Sequence, residues 1–130
     1  MTADLTYLTW TAVLCLLLWI PYIAGTVAKN GLLSPEEYKT PLEREHPDWL
    51  RRCNRAHVNL VENLPAFAAL VLVAHVSGEA SSVTATAALI FFWARVVHAI
   101  GYISGIPYVR TLFFSIGVFA CLAIAWEIVT

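Results

Sequence analysis

Charge is scarce in this chain of 130 residues: Asp, Glu, Lys and Arg together make up 13% of it, about half the share usual in soluble domains. A water-exposed surface needs more ionic groups than that. The 59% of hydrophobic residues and the mean hydropathy of +0.70 place the chain in a bilayer instead. Neither sign of charge dominates, since 8 Lys and Arg against 9 Asp and Glu leave a net charge of −1. That balance excludes a basic arm, so no nucleic-acid partner is expected. Cysteine is also sparse. Cys15, Cys53 and Cys121 stand alone, without a C-x-x-C pair or a repeated ligand spacing, which excludes a disulfide framework and gives no reason to expect a metal. Cys15 and Cys121 read as small apolar packing residues. Long polar segments are missing too. A span takes roughly 20 apolar residues at about 1.5 Å each, so the chain holds four spans with short connections and no soluble domain.

The expected spans are 5–27, 56–76, 83–103 and 110–128, in a single all-α membrane domain covering 1–130. The first run has no basic n-region and is longer than a signal-peptide core, so it is expected to stay as a helix, bent or broken in its last turn by Pro21. Composition flips over 28–55, where mixed charges arrive with Pro35, Pro41 and Pro47, among them Glu43 and Arg44. Ser34-Pro35-Glu36-Glu37 carries a serine cap, an early proline and early acids, which predict the start of a short helix. Trp49, Leu50, Arg51 and Arg52 are expected at the headgroup level. Pro65 is expected to kink the second span. Most Lys and Arg lie in or beside the first loop, with Arg110 at the third. The positive-inside rule therefore puts these loops in the cytoplasm and both termini outside it.

Against this apolar background the polar residues inside the spans stand out. Arg55, Asn59 and Glu62 share one helical face, as do Arg95, His98 and Tyr102, and Arg110 opens the fourth span; all seven fall in the same half of the membrane. A charge at the bilayer centre costs about 2.5–3.5 kcal/mol on insertion scales, so such residues mark a site by default. A purely structural reading pairs Glu62 with Arg95 or Arg55 and bonds Asn59 to a neighbouring helix, fixing the bundle and nothing more. It leaves two arginines and Tyr102 without a task. An anionic polar ligand between the helices would use them all, through charge-assisted and bidentate hydrogen bonds. If the ligand carries a thiol, a guanidinium beside the sulfur stabilises the nucleophilic thiolate, and a tyrosine hydroxyl can donate to it. His57 lies about 200° away from the Arg55 face and His75 near the far end of its span, so neither joins the set. Gly101 and Gly105 form one G-x-x-x-G, a weak signal for close helix packing, as are Gly117, Ala120 and Ala123.

The series Arg55-Ala56-His57-Val58-Asn59-x-x-Glu62-x-x-Pro65, then Ala94-Arg95-x-x-His98-x-x-x-Tyr102, then Pro107-x-x-Arg110 resembles the MAPEG proteins, the membrane-associated proteins in eicosanoid and glutathione metabolism. The resemblance covers nearly the whole chain. It implies a four-helix subunit in a homotrimer, with glutathione as co-substrate held between subunits and a lipophilic small molecule or lipid arriving from the membrane. It further implies that Arg55, Asn59, Glu62, Arg95, Tyr102 and Arg110 bind glutathione, with His98 beside them, and that Arg110 and Tyr102 serve the thiol. Val58 stands where prostaglandin-forming members have an arginine, and Thr111 and Phe114 where they have a serine and a tyrosine. The expected activity is that of a glutathione transferase or peroxidase acting on small lipophilic electrophiles in a bacterial inner membrane. The alternative is a non-catalytic lipid-binding or structural membrane protein of the same fold.

Overall fold

In the computed structural model, residues 1–40 and 45–130 are described, and they form five helices in chain order: α1 (Ala3–Asn30), α2 (Pro35–Lys39), α3 (Asp48–Ser77), α4 (Ser82–Ser104) and α5 (Val109–Val129). Pro41, Glu43 and Arg44 of the charged loop lie outside the described residues. All but the single-turn α2 are long and apolar enough to cross a membrane, and the chain is an all-α, multi-pass integral membrane protein.

Local sequence explains most of the boundaries. Ser34 caps α2 by accepting from the Glu37 backbone N–H at 3.3 Å, while the Ser34 N–H donates to Glu37 Oε1 at 3.1 Å, the reciprocal box foreseen from the serine and the early acids. Ser81 and Thr84 make the same box at the start of α4. Pro21 does not end α1, which runs on to Asn30, and α3 likewise continues through Pro65. Each proline removes one backbone donor, leaving the carbonyls of Leu17 and Val61 without their helical partners, and the packed lengths on either side outweigh that loss.

α4 is the central element. It packs on α1, α3 and α5, and 44% of its most apolar window is buried, against 11% for α1. Among the described residues α1 touches α3 and α4 but not α5. Phe67 of α3 stacks on Phe91 of α4 with ring centroids 3.9 Å apart, and Leu18, Val71, Ala88 and Ile124 close the core around this pair. Gly117 of α5 faces it: a methyl group there would lie 3.5 Å from the Phe91 ring and 3.8 Å from Arg95 Cδ. The small residue thus leaves room for an arginine stem between α4 and α5. The outward faces are apolar, with Leu16, Leu17, Trp19 and Ile23 exposed on α1, the pattern that lipid contact requires.

One expectation for the first loop needs correcting. α3 begins at Asp48, well ahead of the predicted span, because Leu50, Cys53 and Ala56 carry its buried stripe back into the charged segment. Leu50 is fully buried. It and Trp49 lie directly on Gly25 of α1, where an added methyl would come within 2.7 Å of Leu50 Cδ1 and 2.8 Å of Trp49 Cη2. Arg52 also turns inward: its Nε donates to the carbonyl of Ile103 at 3.1 Å, capping the end of α4.

Candidate functional site

The site lies at the end of the bundle that receives the basic loop, where α3 enters, α4 leaves and α5 starts. Asn59 stands one turn beyond Arg55 on α3, and both look toward α4 because the intervening Ala56 and Leu60 are buried in the helix contact. Arg95, only 2% exposed, extends from α4 and donates through Nη2 to Asn59 Oδ1 at 2.6 Å. Asn63, one turn further along α3, braces this amide: its Nδ2 donates to the Asn59 carbonyl at 2.7 Å and approaches Asn59 Oδ1 at 3.5 Å. The oxygen of Asn59 is thereby held toward α4. Arg95 Nε and His98 Nδ1 are both buried without a hydrogen-bond partner.

Along α4, His98 meets Tyr102 edge-on with ring centroids 5.7 Å apart, and the Arg110 guanidinium from the first turn of α5 sits 4.8 Å over the Tyr102 ring. A cation over a tyrosine face is worth about 0.5–2 kcal/mol and fixes the direction of the guanidinium. Five predicted residues, Arg55, Asn59, His98, Tyr102 and Arg110, line one open cavity of about 280 Å³, closed on the α5 side by Thr111 and Phe114. Among the described residues two guanidinium groups and no carboxylate face it. Such a lining attracts an anion with several acceptor oxygens.

Arg95 is a neighbour of this cavity through Asn59 and lines an adjoining one of about 260 Å³ between α3 and α5, walled by Phe91, Gly117 and Cys121. Phe114 forms part of both walls. Glu62 is the residue that does not join the others. It is exposed on the outside of α3 and makes no hydrogen bond or ion pair among the described residues, so the pairing with Arg95 or Arg55 that the purely structural reading required is absent, and Asn59 takes Arg95 instead. Asn63 and Arg52 were not foreseen. The signal for Asn63 is its position four residues after Asn59, a spacing overshadowed by the charge at Glu62. Among the described residues no group of three His, Cys, Asp or Glu side chains could hold a metal ion.

Compared with known families, the chain is matched over residues 6–130 by the model of the MAPEG family. No curated protein matches the chain.

Proposed function

Because the chain belongs to the MAPEG family, we propose that it binds glutathione in the cavity between α3, α4 and α5 and brings it to small lipophilic electrophiles or lipid peroxides. The observation that carries this reading is the convergence of Arg55, Asn59, His98, Tyr102 and Arg110 on one carboxylate-free cavity. Glutathione carries two carboxylates, amide groups and a thiol. Arg55 and Asn59 offer donors to its anionic ends, while Arg110, held over Tyr102, supplies a positive charge near the apolar wall of Phe114.

The chemistry asked of these residues is modest. A guanidinium next to the sulfur favours the thiolate, whose lone pair then takes one of two courses. It displaces a leaving anion from an electrophilic carbon, forming a thioether, or attacks the terminal oxygen of a hydroperoxide, breaking the O–O bond to give a glutathione sulfenic acid and an alkoxide that takes up a proton. The Tyr102 hydroxyl, in the same cavity, is placed to donate to the sulfur or to the developing oxyanion. An electrophile dissolved in the membrane reaches the thiol through the neighbouring α3–α5 cavity, whose apolar wall Phe114 separates the two.

Glu62 supports assembly into a homotrimer with the ligand between subunits. An unpaired carboxylate on the outside of a membrane helix is expensive in lipid, and a second copy covering that face would remove the penalty. One observation favours the structural alternative: the Arg95–Asn59 bond already occupies two members of the set in holding α4 to α3. Calorimetric titration of glutathione into the detergent-solubilised protein separates the readings. Saturable binding weakened by Arg110→Ala and by Glu62→Gln is expected; no binding at millimolar glutathione by an intact oligomer would overturn the glutathione reading.

A further inference from the structure

On the other side of Tyr102 and Arg110 lies a cavity that the glutathione reading does not use. It measures about 430 Å³ and is formed by the α4–α5 turn, Arg52 of α3 and the first turn of α5. Arg52 is anchored there by its Nε bond to the Ile103 carbonyl, and its plane lies against the turn, since a methyl on Gly105 would be 3.2 Å from Cζ. The two Nη groups of Arg52 have no partner among the described residues. Among the described residues no carboxylate lines the cavity. Tyr108, at the cap position of α5, is 86% exposed and held at φ 67, a conformation that bulky residues rarely adopt, and it provides no side-chain cap. The N–H groups of Val109, Arg110 and Thr111 precede the first helical bond of α5, from the Leu112 N–H to the Tyr108 carbonyl, and Arg110 and Thr111 belong to the cavity lining.

We propose that this cavity is a second anion site, for a phosphate group presented by a lipid headgroup or by free phosphate, with Arg52 and Arg110 as its cationic walls. Phosphate matches the lining better than a carboxylate does. Its three oxygens can take bidentate donation from Arg52, a contact from Arg110 and a backbone N–H at the start of α5. The location suits a headgroup too. The turn lies at the basic end of the bundle, and Ile106 and Tyr108 form an exposed rim where an interfacial aromatic belongs. The proposal stands apart from the glutathione reading, although the two cavities share Arg110 as a partition.

Two variants at Tyr108 test it without disturbing the bundle. Aspartate and asparagine both tolerate φ above zero and both cap helices, so Tyr108→Asp and Tyr108→Asn fold at least as well as the parent, but only the first brings a negative charge to the cavity. Inorganic phosphate and micellar dioctanoyl phosphatidate are titrated calorimetrically, with dioctanoyl phosphatidylcholine as the zwitterionic comparison. Saturable phosphatidate binding is expected to weaken at least tenfold in Tyr108→Asp and in Arg52→Gln and to stay within twofold in Tyr108→Asn. Binding of inorganic phosphate with the same sensitivity identifies a site for the free ion, whereas binding of phosphatidate alone identifies the leaflet as the source. Equal affinity in the parent and Tyr108→Asp, no saturable binding of either ligand, or complete displacement of phosphate by saturating glutathione would overturn the proposal. The last result would make this cavity an arm of the glutathione cleft.

Discussion

Arg95 donates to Asn59 across 2.6 Å, and with the Arg52 Nε bond to the Ile103 carbonyl this is one of two charge-assisted contacts between α3 and α4 in the site half of the bundle, among the described residues. Arg95 is buried and Asn59 half-buried, so the loss is largest when only the acceptor is removed. Asn59→Ala leaves a buried guanidinium without its acceptor and is expected to lower stability by about 1–3 kcal/mol. Arg95→Met, which removes the charge and keeps the stem over Gly117, is expected to cost less or nothing. Thermal unfolding in one detergent, followed by circular dichroism, checks the order of the two; an equal loss would show that the bond is worth little.

Tyr102 offers two separable contributions. Tyr102→Phe keeps the ring beneath Arg110 and is expected to hold glutathione affinity within threefold while lowering kcat, if the hydroxyl donates to the sulfur or to the substrate. Tyr102→Leu removes the ring as well, and the lost cation–π contact of about 0.5–2 kcal/mol is expected to weaken binding several-fold further. Calorimetry for Kd and steady-state kinetics for kcat, run on both variants, read the two effects independently.

The contact of Leu50 and Trp49 with Gly25 predicts a steric penalty at the α1–α3 interface. Gly25→Ala places a methyl 2.7 Å from Leu50 Cδ1 and is expected to destabilise the bundle by about 1–3 kcal/mol. Leu50→Ala in the same chain should recover part of that loss, which a double-mutant cycle in thermal unfolding measures.

Leu122 sits on the rim of the α3–α5 cavity and is 55% exposed, so a tryptophan there can fold over the opening. Leu122→Trp is expected to raise KM for a hydrophobic electrophile such as a chlorodinitrobenzene by threefold or more, with the Kd of glutathione unchanged. A parallel rise in both constants would place the electrophile elsewhere.

Glu62→Gln is expected to leave the unfolding midpoint of an isolated subunit unchanged, since Glu62 has no hydrogen bond or ion pair among the described residues, while reducing the oligomer recovered by chemical cross-linking in mild detergent. An unaltered cross-linking pattern would show that Glu62 does not lie between subunits.

Much of this was legible from periodicity. The spacing of Arg55 and Asn59, and of Arg95, His98 and Tyr102, is a property of each helix alone, and the structure brings both faces to one place. The partner of Arg95 was not legible. Asn59 and Glu62 differ by less than one turn, and choosing between them depends on the rotation and depth of α3 against α4, which core packing around Phe67 and Phe91 decides. Arg52 misled for a related reason. A basic residue in a wet loop ordinarily faces water, and only the return of α4 brings the Ile103 carbonyl within its reach. Leu50 was read with its charged neighbours, whereas its burial depends on Gly25, half a chain of helix away on α1.

At the far end of the molecule, Ser81 Oγ, already capping α4, also donates to Glu127 Oε1 at 2.8 Å. That bond joins the α3–α4 turn to the last turn of α5. The opposite end of α5 is held to the same helix, since Val109 packs directly on Gly101 and the Arg110 guanidinium lies over the Tyr102 ring. α5 is thus fastened to α4 at both of its ends, and the cavity wall that Thr111 and Phe114 contribute is set from both surfaces of the bundle.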